Sequence, residues 1–186
     1  LLTKAEVKQH FPALLASNRG NRLSYECTSG TTGQALNYVR NRLSSGYARA
    51  AKYRGHRWFG LDVGDKEGRM LTMTINPVKI LREKIGDCFM NRIRLSAYDM
   101  TATKMHQFFK RCKNFQVDFL YGLPSTLDTF ARFLNKNQID AKQLNIRVII
   151  STSEVLYDSQ KLRIESTFGC RVVDEYGASE IGIIAF

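Results

Sequence analysis

Apolar positions along this chain follow two patterns, short continuous runs and residues spaced three or four positions apart. The runs at residues 117–121 and 147–150 predict buried strands, whereas the spacing of Met105, Phe108 and Cys112 predicts an amphipathic helix. Together the patterns predict, in order, a helix over 4–16, a strand–loop–strand unit over 23–40, a helix over 42–58, a strand over 69–75, a short helix over 78–85, a strand over 89–95, a helix capped by Thr101, a strand over 117–121, a helix starting at Pro124, a strand over 147–150, a helix ended by Gly169 and a strand over 171–173. Strands that alternate with helices favour an α/β fold with a largely parallel sheet.

A segment rich in glycine and hydroxyl groups occupies the loop of the strand–loop–strand unit. Its residues are Thr28, Ser29, Gly30, Thr31, Thr32 and Gly33. Glycines let backbone N–H groups approach a ligand closely, and hydroxyl groups add donors that suit phosphate oxygens. The segment lacks the glycine spacing and the lysine of the common P-loop. It predicts a polyphosphate-holding loop whose ligand charge is met by a metal, by backbone dipoles or by basic residues elsewhere. The alternative is an ordinary turn of a β-hairpin.

A second polar segment, residues 174–180, reads Asp-Glu-Tyr-Gly-Ala-Ser-Glu and follows a short apolar run. With the loop, it resembles the adenylate-forming superfamily of acyl-CoA ligases, peptide-synthetase adenylation domains and luciferases. The phosphate loop of that superfamily reads Ser/Thr-Ser-Gly-Thr-Thr-Gly, and its second signature reads Tyr-Gly-x-Ser/Thr-Glu; both occur here in that order. Residues 151–154 stand where the superfamily carries an adenine-lining segment. Residues 121–125, Tyr-Gly-Leu-Pro-Ser, are most similar to the phenylacetate-CoA ligase and CapK-like branch.

The resemblance implies ATP-dependent activation of a small carboxylic acid to an acyl-adenylate, with pyrophosphate release and transfer to CoA. By the matched motif, Glu180 holds Mg²⁺, Ser179 reaches the α-phosphate and Tyr176 faces adenine. Gly177 makes room for the base, and Asp174 accepts a hydrogen bond from its amino group. Ser153 and Glu154 line the adenine pocket. Without the motif, Glu180 is a solvated carboxylate and Tyr176 a core residue. Asp174 is equally a solvent-facing strand residue, and Glu154 is equally a helix-start acid favoured by the helix dipole.

The resemblance also implies a fold class and a domain organisation. We expect an α/β fragment of the large N-terminal domain of an adenylate-forming enzyme, with mixed, mostly parallel sheets flanked by helices. Residues 1–186 form part of one nucleotide-binding (AMP-binding) domain, since both ends look cut and the C-terminal catalytic domain with its lysine is not present. The enzyme class is an AMP-forming acid–thiol ligase, and the fragment alone is expected to be inactive.

Composition narrows the alternatives. With 44% hydrophobic residues, the chain can bury a core. Its four cysteines form no C-x-x-C pair, which disfavours a zinc site and favours a reducing cytoplasm. Of the histidines, His10 and His106 are expected to be structural, and His56, in a basic helix, to be exposed. Every apolar stretch is shorter than a membrane-spanning helix requires.

The net charge of +11 would attract nucleic acid, a membrane surface or anionic small molecules. The basic residues are dispersed, and most are expected on solvated helix faces. No nucleic-acid motif accompanies them. Two alternatives stay open, a non-catalytic nucleotide-binding relative of the CapK type and a basic nucleic-acid-binding domain. We expect ATP and a small acid as partners, with CoA, an amine or a sugar as the acyl acceptor, and no nucleic acid.

Overall fold

The strands and helices alternate along most of the chain. The computed structural model describes residues 3–17, 23–28, 35–72 and 77–186, without the side chains of Pro77 and Lys79. The elements are α1 Lys4–Gln9, β1 Leu23–Cys27, β2 Asn37–Asn41, α2 Arg42–Arg57, β3 Glu67–Leu71, α3 Pro77–Phe89, β4 Arg92–Ser96, α4 Ala102–Phe115, β5 Phe119–Gly122, α5 Pro124–Lys136, a 3-10 turn Ala141–Leu144, β6 Val148–Thr152, α6 Asp158–Phe168, β7 Val172–Ala178 and β8 Gly182–Ala185.

The strands form two sheets within the described residues. The larger has the order β4-β3-β5-β6-β7-β8, in which the first five strands are parallel and β8 runs antiparallel to β7. The smaller is the antiparallel hairpin β1–β2. The prediction of an α/β fold with a mostly parallel sheet is therefore confirmed.

Apolar side chains pack on both faces of the larger sheet. The main core lies between the sheet and helices α4, α5 and α6, and includes Phe108, Phe130 and Ile164. A smaller cluster on the other face is built from Phe119, Tyr121, Val148, Ile150 and Val173, with Leu61. The end of α2 packs on this second face.

Local sequence signals fix several element ends. Thr3 forms a capping box with Glu6 at the start of α1, and the Asn41 side chain accepts a hydrogen bond from the Ser44 N–H at the start of α2 (2.7 Å). Gly169 ends α6 with a left-handed φ of 71°, which glycine adopts without strain. Thr101 caps α4, as predicted.

Other predicted bounds are wrong. Helix α1 ends at Gln9 instead of residue 16, because Pro12 cannot continue a helix. Phe89 belongs to α3 rather than to a strand, and β4 begins at Arg92 after a left-handed turn at Asn91 (φ 48°). Strand β3 covers Glu67–Leu71 rather than 69–75, whose residues 73–75 lie outside the described part.

Strand β7 is longer than the predicted 171–173. It runs through Ala178, so residues 174–178 lie within the strand and do not follow it. Pairing explains the extension, since β7 pairs with β6 as far as Glu175 and with β8 from Tyr176 onward.

Candidate functional site

Polar residues converge at the carboxyl edge of β5, β6 and β7. In the parallel register, Ser151 lies beside Asp174 and Thr152 beside Glu175. Ligands of open parallel sheets bind beyond this edge. The sequence segments 151–154 and 174–180, about twenty residues apart in the chain, therefore lie side by side.

Asp174 and Tyr176 alternate with Glu175 along β7, so they share one face of the strand. The Tyr176 side chain is 64% exposed, which contradicts the alternative that it is a core residue and leaves its ring free to stack. Burial raises the pKa of Asp174, and the positive charge of Lys161 opposes that rise. The face thus presents an exposed ring and a carboxylate at the sheet edge.

The β6 end carries an unusual backbone. Ser153 has φ of 70°, in the left-handed region that costs a non-glycine residue roughly 1–2 kcal/mol. Glycine adopts this backbone conformation without that cost. The next residue, Glu154, accepts a hydrogen bond from the Ser125 N–H in the first turn of α5 (3.1 Å). The Glu154 carboxylate, in the loop between β6 and α6, thus caps the start of α5, and its adenine contact stays a prediction.

The turn between β7 and β8 lies against the hairpin. The Arg40 guanidinium donates a hydrogen bond to the Ser179 carbonyl oxygen. Burial, with a hydrogen bond to Glu26 (2.7 Å), raises the pKa of Tyr38 to about 12, and the charge of Glu180 adds to that rise. Strand β2 therefore runs beside Ser179 and Glu180, although about 140 residues separate them in sequence.

Thr28 closes the glycine-rich loop. Its N–H donates to the Leu36 carbonyl oxygen (3.0 Å), and its hydroxyl oxygen accepts from the Leu36 N–H (2.9 Å). The other predicted loop residues, Ser29, Gly30, Thr31, Thr32 and Gly33, lie outside the described residues, so their contacts with phosphate stay predictions. The hairpin carries this loop at its tip.

Glu180 has the chemistry that Mg²⁺ prefers. Its carboxylate is partly buried, and no salt bridge reaches it within the described ranges. Mg²⁺ in phosphate-binding sites takes one or two carboxylates and completes its shell with phosphate oxygens and water. Across the described residues, no group of three or more His, Cys, Asp or Glu is placed to hold a metal alone. The single carboxylate of Glu180, beside strand β2, fits the first arrangement.

A buried polar network stands on the other face of β7, and sequence reasoning missed it. The Glu175 side chain is fully buried; it accepts a hydrogen bond from the Tyr121 hydroxyl (2.6 Å) and lies 2.9 Å from His56 Nε2. The expectation that His56 is exposed is wrong, since only 4% of it is accessible. Strand alternation gave a signal, because Glu175 shares the face of buried Val173.

Burial and neighbouring charges shift the pKa values of the residues in this network. Burial raises the pKa of Glu175, but the His56 and Tyr121 hydrogen bonds and the Lys52 charge outweigh it, so the pKa lies below its usual value. Burial also lowers the pKa of Lys52 to about 8, and its ammonium lies 3.6 Å from the centre of the Tyr121 ring. Burial, with Glu175 nearby, raises the pKa of Tyr121. The carboxylate therefore stays ionised at neutral pH.

Some basic residues expected on solvated faces are instead paired. Arg92 and Arg94 are only 12% and 15% exposed in their side chains. Arg92 binds Glu67 (2.9 Å), and Arg94 binds Asp87 (2.6 Å). Part of the positive charge is thus used inside the fold. Among the described helices, none has the length and apolar content to cross a membrane.

Comparison with known protein sequences gives one distant relative. No family model matches the chain. The chain is 24% identical over 182 residues to Protein CapK of Staphylococcus aureus. The match covers 96% of this chain and 40% of CapK.

Solved structures of CoA ligases share the architecture. A 2-hydroxyisobutyryl-CoA ligase, in complex with 2-HIB-AMP and CoA, matches with a TM-score of 0.68 at 14% identity, over 96% of this chain and 42% of the ligase. A malonyl-CoA ligase with methylmalonyl-CoA and AMP bound matches with a TM-score of 0.58 at 20% identity, over 86% and 33%. The chain has the fold of the adenylate-forming CoA ligases. The N-terminal domain of FACL13 from Mycobacterium tuberculosis shares this fold as well, with a TM-score of 0.54 at 19% identity, over 89% of this chain and 39% of that domain's chain.

The adenylate-forming fold confirms the predicted fold class, a mostly parallel α/β fragment of the large domain. The chain spans about two fifths of the length of CapK and of the first ligase.

Proposed function

We propose that the chain is the nucleotide-binding part of an enzyme that activates a small carboxylic acid with ATP and passes the acyl group to CoA. The observation that carries the proposal is that the turn at Ser179 and Glu180, which follows β7, contacts strand β2 of the hairpin, beside the paired ends of β6 and β7. The fold shared with CoA ligases supports the same reaction.

The reaction asks for positioning and charge neutralisation rather than a protein nucleophile. A carboxylate oxygen of the acid attacks the α-phosphorus of ATP, the bond from that phosphorus to the bridging oxygen breaks, and pyrophosphate leaves. The thiol of CoA then attacks the acyl carbonyl, loses its proton and displaces AMP.

Each candidate residue has a task in that sequence. Tyr176 stacks on adenine, with Gly177 leaving space, and Asp174 accepts from the amino group of the base. Ser179 donates to the α-phosphate, and the loop of residues 28–33 holds the departing pyrophosphate. Glu180 would hold Mg²⁺, which neutralises phosphate charge when bound. Ser153 and Glu154 border the base from the β6 side.

Calorimetric titration of the chain with Mg·ATP tests the proposal. The variant Glu180→Gln keeps the side-chain size but loses the charge, and we expect it to weaken Mg·ATP binding about tenfold or more. Asp140→Asn is the control, since it removes an exposed carboxylate that precedes the amino end of β6, at the opposite edge of the sheet. Equal affinities of the parent and Glu180→Gln would remove Glu180 from the site, and no binding by the parent would overturn the proposal.

A second candidate is a non-catalytic nucleotide-binding relative of the CapK type, and the match to Protein CapK is the observation behind it. Both candidates bind Mg·ATP, so turnover separates them. Pyrophosphate release by the full-length protein should be followed with a panel of aryl and aliphatic acids. Release that depends on one acid supports the ligase, and binding without release for every acid supports the second candidate.

A further inference from the structure

Glu175 joins three elements of the fold through one carboxylate. Its two oxygens contact the Tyr121 hydroxyl on β5 and the His56 ring on α2, and the carboxylate itself lies on β7. The side chain has no exposed surface. A buried charge is costly unless it is paired and hydrogen-bonded. An apolar residue could fill this position without the cost of burying a charge. Packing alone therefore does not explain why a carboxylate stands there.

The network lies where backbone pairing of β7 becomes irregular. The last pair with β6 joins Thr152 to Glu175. Beyond it, only β8 pairs with β7, and the register of that pairing shifts between Tyr176 and Gly177. The backbone ladder therefore fixes Tyr176 less firmly than it fixes Val173. Glu175, whose carboxylate is fixed by hydrogen bonds, directly precedes the exposed Tyr176 in β7.

Because side chains alternate between the two faces of β7, the position of Glu175 affects the residues on either side of it. Glu175 faces α2, whereas Asp174 and Tyr176 face the opposite side. Holding the Glu175 side chain fixes the tilt and rotation of the backbone that presents its two neighbours. We propose that Glu175 is a positioning residue that holds Tyr176 against the adenine base, with Tyr121 and His56 as its supports. The inference rests on the proposed function, and Glu175 itself touches no part of the nucleotide.

This role predicts a selective loss. Removing the carboxylate should weaken the base contact while the hairpin and Glu180 still bind the phosphates. Mg·ATP affinity should fall, and the affinity for inorganic tripolyphosphate with Mg²⁺, which has no base, should stay. A residue that only stabilises the fold would affect both ligands alike, because unfolding removes the whole site.

Calorimetric titration of both ligands tests the selectivity. The chain variants are Glu175→Ala, Glu175→Gln, Tyr121→Phe, Tyr176→Ala and, as a control in the opposite core, Ile149→Val. We expect Glu175→Ala and Tyr176→Ala each to lower Mg·ATP affinity about tenfold, the scale of a lost base–aromatic stack, with tripolyphosphate affinity unchanged. Glu175→Gln keeps an acceptor for the Tyr121 hydroxyl and should recover part of the loss. Ile149→Val should change neither affinity.

The outcomes separate this inference from the proposed function. If the parent binds neither ligand, the proposed function fails and this inference fails with it. If the parent binds Mg·ATP and Tyr176→Ala weakens it but the Glu175 variants do not, only the positioning role is overturned. Glu175→Gln and Tyr121→Phe make small changes and serve if Glu175→Ala does not fold. An equal loss of both ligands in these two variants would also overturn the positioning role.

Discussion

The two sides of the candidate site differ in how they are held. Every residue of β5 and β6 is buried, whereas none of the described hairpin residues is. Buried apolar surface contributes about 25 cal/mol per Å², so the β5–β7 edge is a stable framework. An isolated two-stranded hairpin is marginal in water. The side proposed to face the base is thus preformed, and the side proposed to face the phosphates depends on its contacts with α2 and with the turn at Ser179.

Truncation of a core side chain should show the largest difference between the two regions. Phe130 is completely buried on the helix face of the sheet, and Tyr25 on the hairpin is 69% exposed. Phe130→Ala should lower the free energy of unfolding by about 3–5 kcal/mol through the cavity it leaves. Tyr25→Ala should change it by about 0.5 kcal/mol or less. Urea unfolding measures both, and similar values would contradict the contrast.

Replacing glycine by alanine should change the free energy of unfolding in opposite directions in the two regions. A Cβ at Gly122, at the end of β5, would lie 2.8 Å from the Met70 carbonyl oxygen, whereas a Cβ at Gly46 in α2 meets nothing within 4 Å. Gly122→Ala should therefore destabilise the chain by about 1–3 kcal/mol. Gly46→Ala, the matched control beside the hairpin, should stabilise it by about 0.4–1 kcal/mol. Thermal unfolding of both variants checks the signs; a neutral Gly122→Ala would mean that β5 and β3 are less tightly packed.

A smaller, pH-dependent effect comes from Lys52. Its pKa falls from 10.5 to about 8 in the folded chain. Between these values the unfolded chain holds a proton that the folded chain has released, so this lysine makes the free energy of unfolding rise with pH. Cys112 and Cys170 act oppositely, because burial raises the pKa of each to about 12.

The variant Lys52→Met isolates the lysine contribution. Urea unfolding of the parent and variant at about pH 7.5 and about pH 9.5 gives the stability difference at each pH. The free energy of unfolding of the parent, relative to that of the variant, should increase as the pH rises. A difference that does not change with pH would place the Lys52 ammonium in water.

Much of the framework could be predicted from the sequence, because its signals are local. Caps at Thr3, Asn41 and Gly169 act within a turn of their own helices, and continuous apolar runs mark strands buried on both faces. Phe89 misled the prediction, since an apolar residue near a strand also suits the end of a helix. Its side chain is in fact 84% exposed.

The residues of the candidate site were predicted from two motifs. The buried contacts of Glu175 behind them were not predicted. The motif order brought out residues 28–33 and 174–180, and strand topology explains why 174 lies beside 151. The pairing of Glu175 with His56 joins residues 119 positions apart and arises only when α2 packs on the sheet. Local patterns carry no information on such a contact. The left-handed Ser153 was equally beyond reach, because serine gives no local sign of that conformation.

The most direct test of the account is hydrogen exchange with and without Mg·ATP, mapped along the chain. Without ligand, amides of β1 and β2 should exchange much faster than those of β5 and β6, since marginal elements open locally. With Mg·ATP, exchange should slow in both residues 23–41 and residues 172–182, because the nucleotide joins the two sides. Slowing on one side only, or on neither, would contradict the claim that the hairpin and the β7 end form one nucleotide site.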